Sequence, residues 1–203
     1  TYPKVGFYVQ DTKSNATDGL QAIRKLIDTS KADLIYTDLS NVAAAAIPLT
    51  EEKHKIHVAS AYLLDLLKRG RLTVRNLPSG FQESELVLAK LKAVYPGFTK
   101  IAVLTSSDEF GESSFASFRH AAEKHGYKVI YRDFFGEETK VIDTIARKTL
   151  DSKPEAIYLS SLSSSLGSMV KEIREAGFKG PILSTNAFSF PFIQKAEGRA
   201  NRS

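Results

Sequence analysis

Short apolar runs alternate with amphipathic segments along most of the chain, and the apolar runs are rich in Val, Ile and Tyr. Between residues 99 and 186 this pattern predicts four strands separated by helices, with the strands at 100–105, 127–131, 156–160 and 181–184. Such alternation is typical of a parallel sheet built by right-handed crossovers. Ligands of these sheets bind beyond the carboxyl ends of the strands. The small polar residues that follow the predicted strands therefore mark a candidate site.

The first 80 residues carry the same alternation with shorter elements. Strands are predicted at 5–9, 33–36, 56–60 and 72–75, and helices at 15–27, 42–47 and 62–67. The Asn-Leu-Pro-Ser-Gly stretch at 76–80 is the strongest break in the chain, because Pro and Gly interrupt regular structure. We place a domain boundary there, with one lobe at residues 1–78 and a second at 79–203. The predicted fold class is α/β, with two lobes that each hold a parallel sheet flanked by helices.

Composition narrows the function classes. The chain has 203 residues, of which 42% are hydrophobic and 25% charged, as in ordinary globular proteins. The absence of Cys excludes disulfides and thiolate chemistry. The net charge of +5 is spread over isolated Lys and Arg residues, which favours a mixed solvated surface over a nucleic-acid site. No apolar run approaches the roughly 18 residues of a membrane span, and no signal-peptide pattern is visible, so we expect a mature or trimmed protein.

The polar residues of the sequence match none of the common catalytic patterns. The four histidines show no ligand spacing with carboxylates on a shared face. The serines at 160–165 lack a nucleophile-elbow pattern, and Gly111 stands alone where a phosphate loop would need several glycines. The sequence therefore predicts neither an enzyme nor a metal or cofactor site.

The order of several short segments is more informative than any one of them. The first 99 residues contribute Asp33-Leu-Ile-Tyr36, Ser40, Val58-Ala-Ser-Ala61, Val74-Arg75 and Gln82. The remainder contributes Lys100-Ile-Ala-Val-Leu104, Asp108-Glu-Phe-Gly111, Ala122-Glu-Lys-His-Gly126, Pro154-Glu-Ala-Ile-Tyr158 and Ile173-Arg-Glu-Ala-Gly177. In this order and spacing the chain resembles the type I periplasmic binding proteins, and most closely the branched-chain amino-acid solute-binding proteins of ABC transporters.

The resemblance implies a type I periplasmic binding fold with two Rossmann-like lobes. The family domain is considerably longer, so the chain resembles its central portion and we expect it to be incomplete at both ends. Residues 197–203 do not match the family pattern.

The resemblance also implies a ligand site in the first lobe. Ser40 matches a family serine that binds the ligand's carboxylate at a helix start, and Asn41 is a weaker candidate beside it. Ala59, Ser60 and Ala61 match a strand end that binds an amino-acid head group. From the residues alone, Ser40 could equally be an ordinary helix N-cap, and the other three could be small residues that close a strand.

The second lobe departs from the family pattern at the corresponding positions. Phe110 takes the place of a family aromatic, although it could equally be a core residue. Leu162 and Ser163 stand where amino-acid binders often have a Tyr. Asn186 stands where they have an acidic residue that pairs with the ligand's ammonium, so the charge-assisted interaction would be lost. A small carboxylate therefore competes with an amino acid as the expected ligand.

The resemblance implies a function in solute capture. We expect an extracytoplasmic protein, with or without a lipid anchor, that traps an amino acid or small carboxylate between two lobes and delivers it to the membrane permease of an ABC importer. The alternative is a ligand-sensing module of the same fold in a signalling protein or regulator. An enzyme on a doubly wound sheet is the third and weakest alternative. No cofactor and no nucleic-acid partner are expected.

Overall fold

The computed structural model describes residues 4–63, 65–136 and 138–189. The chain divides into two compact units: unit 1 runs up to Ser79 and unit 2 begins at Gly80. Each unit consists of parallel strands and helices in alternation. The predicted α/β fold class with parallel sheets is therefore confirmed.

Unit 1 contains a three-stranded parallel sheet and three helices within the part that the structure describes. Its elements in chain order are α1 (Ala16–Asp28), β1 (Leu34–Asp38), α2 (Ser40–Glu52), β2 (Ile56–Ser60), α3 (Leu66–Arg69) and β3 (Thr73–Arg75). The strands lie in the order β1-β2-β3. Because all three are parallel, their carboxyl ends meet at one edge of the sheet.

Unit 2 contains a four-stranded parallel sheet and four α-helices within its described residues. Its elements are α4 (Gly80–Val94), β4 (Lys100–Thr105), α5 (Glu109–Lys124), β5 (Lys128–Phe134), α6 (Ile142–Asp151), β6 (Ala156–Ser160), α7 (Ser165–Glu175), β7 (Ile182–Ser184) and a short 3-10 helix at Asn186–Ser189. The strand order is β5-β4-β6-β7.

Alternate residues of the inner strand β4 face helices on opposite sides of the unit 2 sheet. Ile101 and Val103 pack in a core cluster with residues of α4 and α5, whereas Ala102 and Leu104 pack with residues of α6 and α7. A strand buried on both faces reads as a continuous apolar run, and this explains why the sequence pattern located β4 correctly.

The sheet of unit 1 is covered on only one face by described residues. Ile35 packs against α1 and α2, and Ala59 packs against α2 and α3. On the opposite face, the side chains of four apolar strand residues are each at least half exposed: Leu34, Tyr36, Ile56 and Val74. Parallel sheets are normally covered on both faces, so this face presents apolar surface that is unusual for such a sheet.

Two elements predicted for unit 1, a strand and a short helix, differ from the structure. Residues 5–9 form no strand, and Val5, Phe7 and Val9 are exposed, because the segment pairs with no described strand. The helix predicted at 62–67 is wrong in position and length: the observed helix is shorter and lies further along the chain, at Leu66–Arg69.

Helix α2 extends beyond the predicted end at residue 47 and continues through Pro48 to Glu52. Proline removes one helical hydrogen bond, but the neighbouring Ile47 and Leu49 are buried. Their packing holds the helix together across this position.

Candidate functional site

Ser40 lies where β1 ends and α2 begins, and only 2% of its surface is exposed. The N-cap position belongs to Leu39, which makes no capping side-chain bond. The Ser40 Oγ instead accepts a hydrogen bond of 3.1 Å from the backbone N–H of Tyr62. The N-cap alternative for Ser40 is therefore wrong: its hydroxyl connects the start of α2 to the segment that follows β2.

The start of α2 differs from the starts of α1 and α5. Asn15 caps α1 by accepting from the Asp18 N–H at 2.8 Å, and Asp108 caps α5 in the same way through the Gly111 N–H. Helix α2 has neither a capping side chain nor an acidic residue in its first turn. Leu39, which precedes it, has φ of 71°, a strained conformation for a non-glycine residue and one that often occurs at functional sites.

Both polar atoms of the Asn41 side-chain amide form hydrogen bonds to the backbone. Its Nδ2 donates to the Ser14 carbonyl at 2.9 Å, and its Oδ1 accepts from the Val42 N–H at 2.9 Å. These bonds join the loop before α1 to the start of α2. A direct role of Asn41 in ligand binding stays a prediction.

The segment from Ala59 to Ala61 is buried at the carboxyl end of β2. The Ser60 Oγ donates to Asn76 Oδ1 at 2.8 Å and lies 2.6 Å from the Tyr36 hydroxyl, which donates to it. The hydroxyl of Ser60 is thus engaged by β1 and by the residue after β3. The structure brings Ser40 and the predicted segment at 59–61 to the same edge of the unit 1 sheet.

His57 supports this edge from within the sheet and was missed as a structural residue by sequence reasoning. Its side chain is fully buried, with Nε2 at 2.8 Å from the Thr37 hydroxyl and Nδ1 at 3.4 Å from the Thr73 hydroxyl. Burial lowers the pKa of His57 to about 4, against a smaller opposing effect of Glu51. The ring therefore acts as a neutral cross-link between the three strands.

In unit 2, Phe110 lies in the first turn of α5 and is 3% exposed. The turn before it is fixed by Asp108, which accepts from the Ser106 hydroxyl at 2.7 Å as well as from Gly111. A Cβ at Gly111 would lie 1.8 Å from the Ser106 carbonyl oxygen, so only glycine fits this close approach. The position of Phe110 is thus defined by local geometry.

Leu162 and Ser163 lie between β6 and α7 and have different surroundings. Leu162 packs on the apolar cluster that includes α6 and α7. The Ser163 Oγ lies 3.0 Å from the Ser161 Oγ and also contacts the Ser165 Oγ. A chain of three hydroxyl groups therefore marks the start of α7, which has no capping side chain and no acidic residue in its first turn.

Asn186 is exposed in the 3-10 helix after β7, and it brings no charge of its own. Its backbone N–H, however, donates to Glu83 Oε1 at 3.3 Å. Glu83 comes from α4, more than 100 residues earlier, and no local sequence pattern indicated this contact. An acidic side chain therefore lies beside Asn186. The pKa of Tyr158 is raised mainly by burial and to a smaller extent by the negative charge of Glu83.

Within residues 4–63, 65–136 and 138–189, no cluster of three or more His, Asp or Glu residues could hold a metal ion. In the same residues, no helix is long and apolar enough to cross a membrane.

Comparison with solved structures shows similarity over nearly the whole chain. An extracellular ligand-binding receptor from Rhodopseudomonas palustris HaA2 is 23% identical, with a TM-score of 0.87 over 97% of this chain and 55% of that one. An R. palustris ABC-transporter solute-binding protein in complex with 4-hydroxybenzoate is 20% identical, with a TM-score of 0.79 over 89% of this chain and 50% of that one. Another, in complex with benzoate, is 17% identical, with a TM-score of 0.80 over 94% and 53% of the two chains.

At these identities the similarity shows the fold alone. The chain spans about half the length of the solved structures it matches. No curated protein matches the chain. The model of the periplasmic binding protein family, however, matches residues 3–200, which agrees with the resemblance seen in the sequence. The chain belongs to the periplasmic binding protein family.

Proposed function

We propose that the protein carrying this chain is an extracytoplasmic solute-binding protein of an ABC importer and that its ligand is a small carboxylate, most simply an aromatic acid of the benzoate class. The family is one of binding proteins, and two of its structural relatives hold 4-hydroxybenzoate and benzoate. The partner would be the membrane permease of the importer. An amino-acid ligand, which the sequence also allowed, has no support from these relatives.

The observation that carries the proposal is the start of α2. A helix N-terminus attracts anions because its first N–H groups have no partner within the helix and the helix dipole is positive there. At α2 the N-cap residue Leu39 makes no capping side-chain bond, and no acidic residue lies in the first turn. Asn41 Oδ1 accepts from the Val42 N–H, which leaves the earlier N–H groups of Ser40 and Asn41 as the candidates for an anion. The buried Ser40 hydroxyl lies at this position, and its oxygen already accepts from Tyr62, so its hydrogen can be donated to a ligand carboxylate.

Unit 2, taken by itself, also holds groups that suit an aromatic acid. Leu162 is partly exposed and supplies apolar surface, with Phe110 buried near the start of α5, and the hydroxyl chain of Ser161, Ser163 and Ser165 supplies donors and acceptors. A hydroxyl group on the ligand's ring could exchange hydrogen bonds with this chain. Asn186 contributes no charge of its own, and the neighbouring Glu83 carboxylate already accepts from its backbone N–H.

The proposal is tested first by identifying what the protein binds. Native mass spectrometry of the gently purified protein should reveal a co-purified organic acid. Thermal-shift measurements with benzoate, 4-hydroxybenzoate and 3,4-dihydroxybenzoate should raise the melting temperature, whereas leucine should raise it less. Stabilisation by leucine alone, or by none of the acids at millimolar concentration, would contradict the proposed ligand class.

A further inference from the structure

Arg75 is a half-buried cation at the carboxyl end of β3. Its guanidinium has five N–H donors, and one of its terminal nitrogens donates to the Leu63 carbonyl. Its Nε is buried without a hydrogen-bond partner in the described residues. Burial lowers the pKa of the guanidinium, and in the described part of the chain no Asp or Glu forms an ion pair with it.

This arrangement is unusual for a cation within a protein. Removing a charge from water is costly unless an opposite charge or several hydrogen bonds compensate for it. Two other cations have acidic partners: Lys124 pairs with Glu85, and Arg132 with Glu112, each at 2.7 Å. Arg174 has no ion pair in the described residues, but its Nη1 donates to two carbonyls, those of Phe178 and Gly180. Arg75 has an incomplete set of partners by comparison.

The position of Arg75 connects it to the candidate site of unit 1. In the sheet register it lies directly beside Ala59, so the two side chains project from the same face. Its hydrogen bond to the Leu63 carbonyl connects β3 to the segment at residues 59–63. The next residue, Asn76, accepts from the Ser60 hydroxyl. Arg75 therefore belongs to the same edge of the sheet as the predicted binding residues.

We propose that Arg75 is a specificity-determining residue, the cationic complement of an anionic ligand bound at this edge of unit 1. The proposal rests on the proposed function and adds the residue that selects carboxylates over neutral molecules of the same shape. A guanidinium suits this role because its planar donors match the two oxygens of a carboxylate. The ligand would supply the acid partner that the described residues lack.

The experiment compares Arg75→Met, which removes the charge, with Arg75→Lys, which keeps it. Arg71→Met is the matched control because Arg71 is exposed and nearby. Titration calorimetry with 4-hydroxybenzoate should show affinity weakened at least tenfold in Arg75→Met, less in Arg75→Lys and not at all in Arg71→Met. Binding of the neutral 4-hydroxybenzamide should be the same in all four proteins. Equal losses for acid and amide would overturn the proposal, because they would mean that Arg75 only supports the loop.

Melting of the ligand-free proteins separates the two roles independently of any ligand. If the charge of Arg75 is uncompensated, Arg75→Met should melt no lower than the wild type. A drop in melting temperature of about 5 °C or more would show that the bond to Leu63 is structural and would overturn the proposal. If no benzoate binds the wild-type protein, the proposed ligand class is wrong, and the melting comparison alone then decides the role of Arg75.

Discussion

His57 should make unit 1 less stable in mild acid. Its ring is fully buried between the hydroxyls of Thr37 and Thr73, one on each neighbouring strand. Burial disfavours the charged imidazolium, so the pKa of His57 is lowered from 6.5 to about 4 in the folded protein. The unfolded chain would bind a proton near pH 6.5, while the folded chain would resist it until the pH approaches 4.

The magnitude follows from linkage between protonation and folding. Each pKa unit corresponds to about 1.4 kcal/mol. Protonation of His57 should therefore lower the free energy of unfolding by up to about 3 kcal/mol between high and low pH. The free energy of unfolding decreases as the pH falls, because the folded state binds a proton on His57 less readily than the unfolded state does. Stability is fully present above pH 6.5 and is lost progressively as the pH falls from 6.5 to about 4.

The assay is urea unfolding at a series of pH values from 7.5 to 4.5, for the wild type and for His57→Gln. Carboxylates that titrate in this range affect both proteins alike, so the difference between the two stabilities isolates His57. This difference should change by about 2 to 3 kcal/mol across the range, in favour of the variant at low pH. A constant difference, or an NMR titration that gives the folded His57 a pKa near 6.5, would refute the reasoning.

Three further predictions concern the helix starts and the exposed sheet face. Ser40→Ala should weaken binding of 4-hydroxybenzoate by about 1 to 3 kcal/mol in calorimetry with a smaller loss of unfolding free energy; unchanged affinity would leave Ser40 a purely structural residue. Gly111→Ala should lower the unfolding free energy by about 3 kcal/mol, since the new Cβ meets the Ser106 carbonyl; the control Gly97→Ala has nothing within 4 Å and should change it by less than about 0.5 kcal/mol. The 203-residue span expressed alone should bind the dye ANS strongly or associate, and a monomer that neither binds ANS nor aggregates would contradict this.

The local pattern of hydrophobic and polar residues was sufficient to locate most of the strands and helices. The strands at 56–60, 100–105 and 156–160 have the predicted bounds, because β-branched runs bordered by polar residues indicate buried strands. Residues 5–9 have an equally apolar pattern but form no strand in the described structure. A strand depends on a partner for its hydrogen bonds, and the pattern of one segment cannot show whether that partner is present.

The candidate site was harder to predict because its contacts join residues that are far apart in the sequence. The Ser40 hydroxyl bonds to a backbone group 22 residues later, and Asn186 contacts Glu83 across 103 residues. Neither partner can be read from spacing within one element. The resemblance to a family indicated which strand ends to examine. The lack of a capping bond from Leu39 and the lack of an acidic partner for Arg75 among the described residues became visible only in the structure.

We expect the site to accept a carboxylate without an α-ammonium group. The most direct test is a calorimetric comparison of leucine with its deaminated analogue 4-methyl-2-oxopentanoate, alongside 4-hydroxybenzoate, on the protein that carries this chain. The two acids without an ammonium should bind at least as tightly as leucine, because Asn186 has no charge and the neighbouring Glu83 carboxylate is engaged by the Asn186 N–H, and an unpaired buried ammonium costs several kcal/mol. A preference for leucine of tenfold or more would show that the site serves an ammonium and would point to an acidic partner such as Glu83.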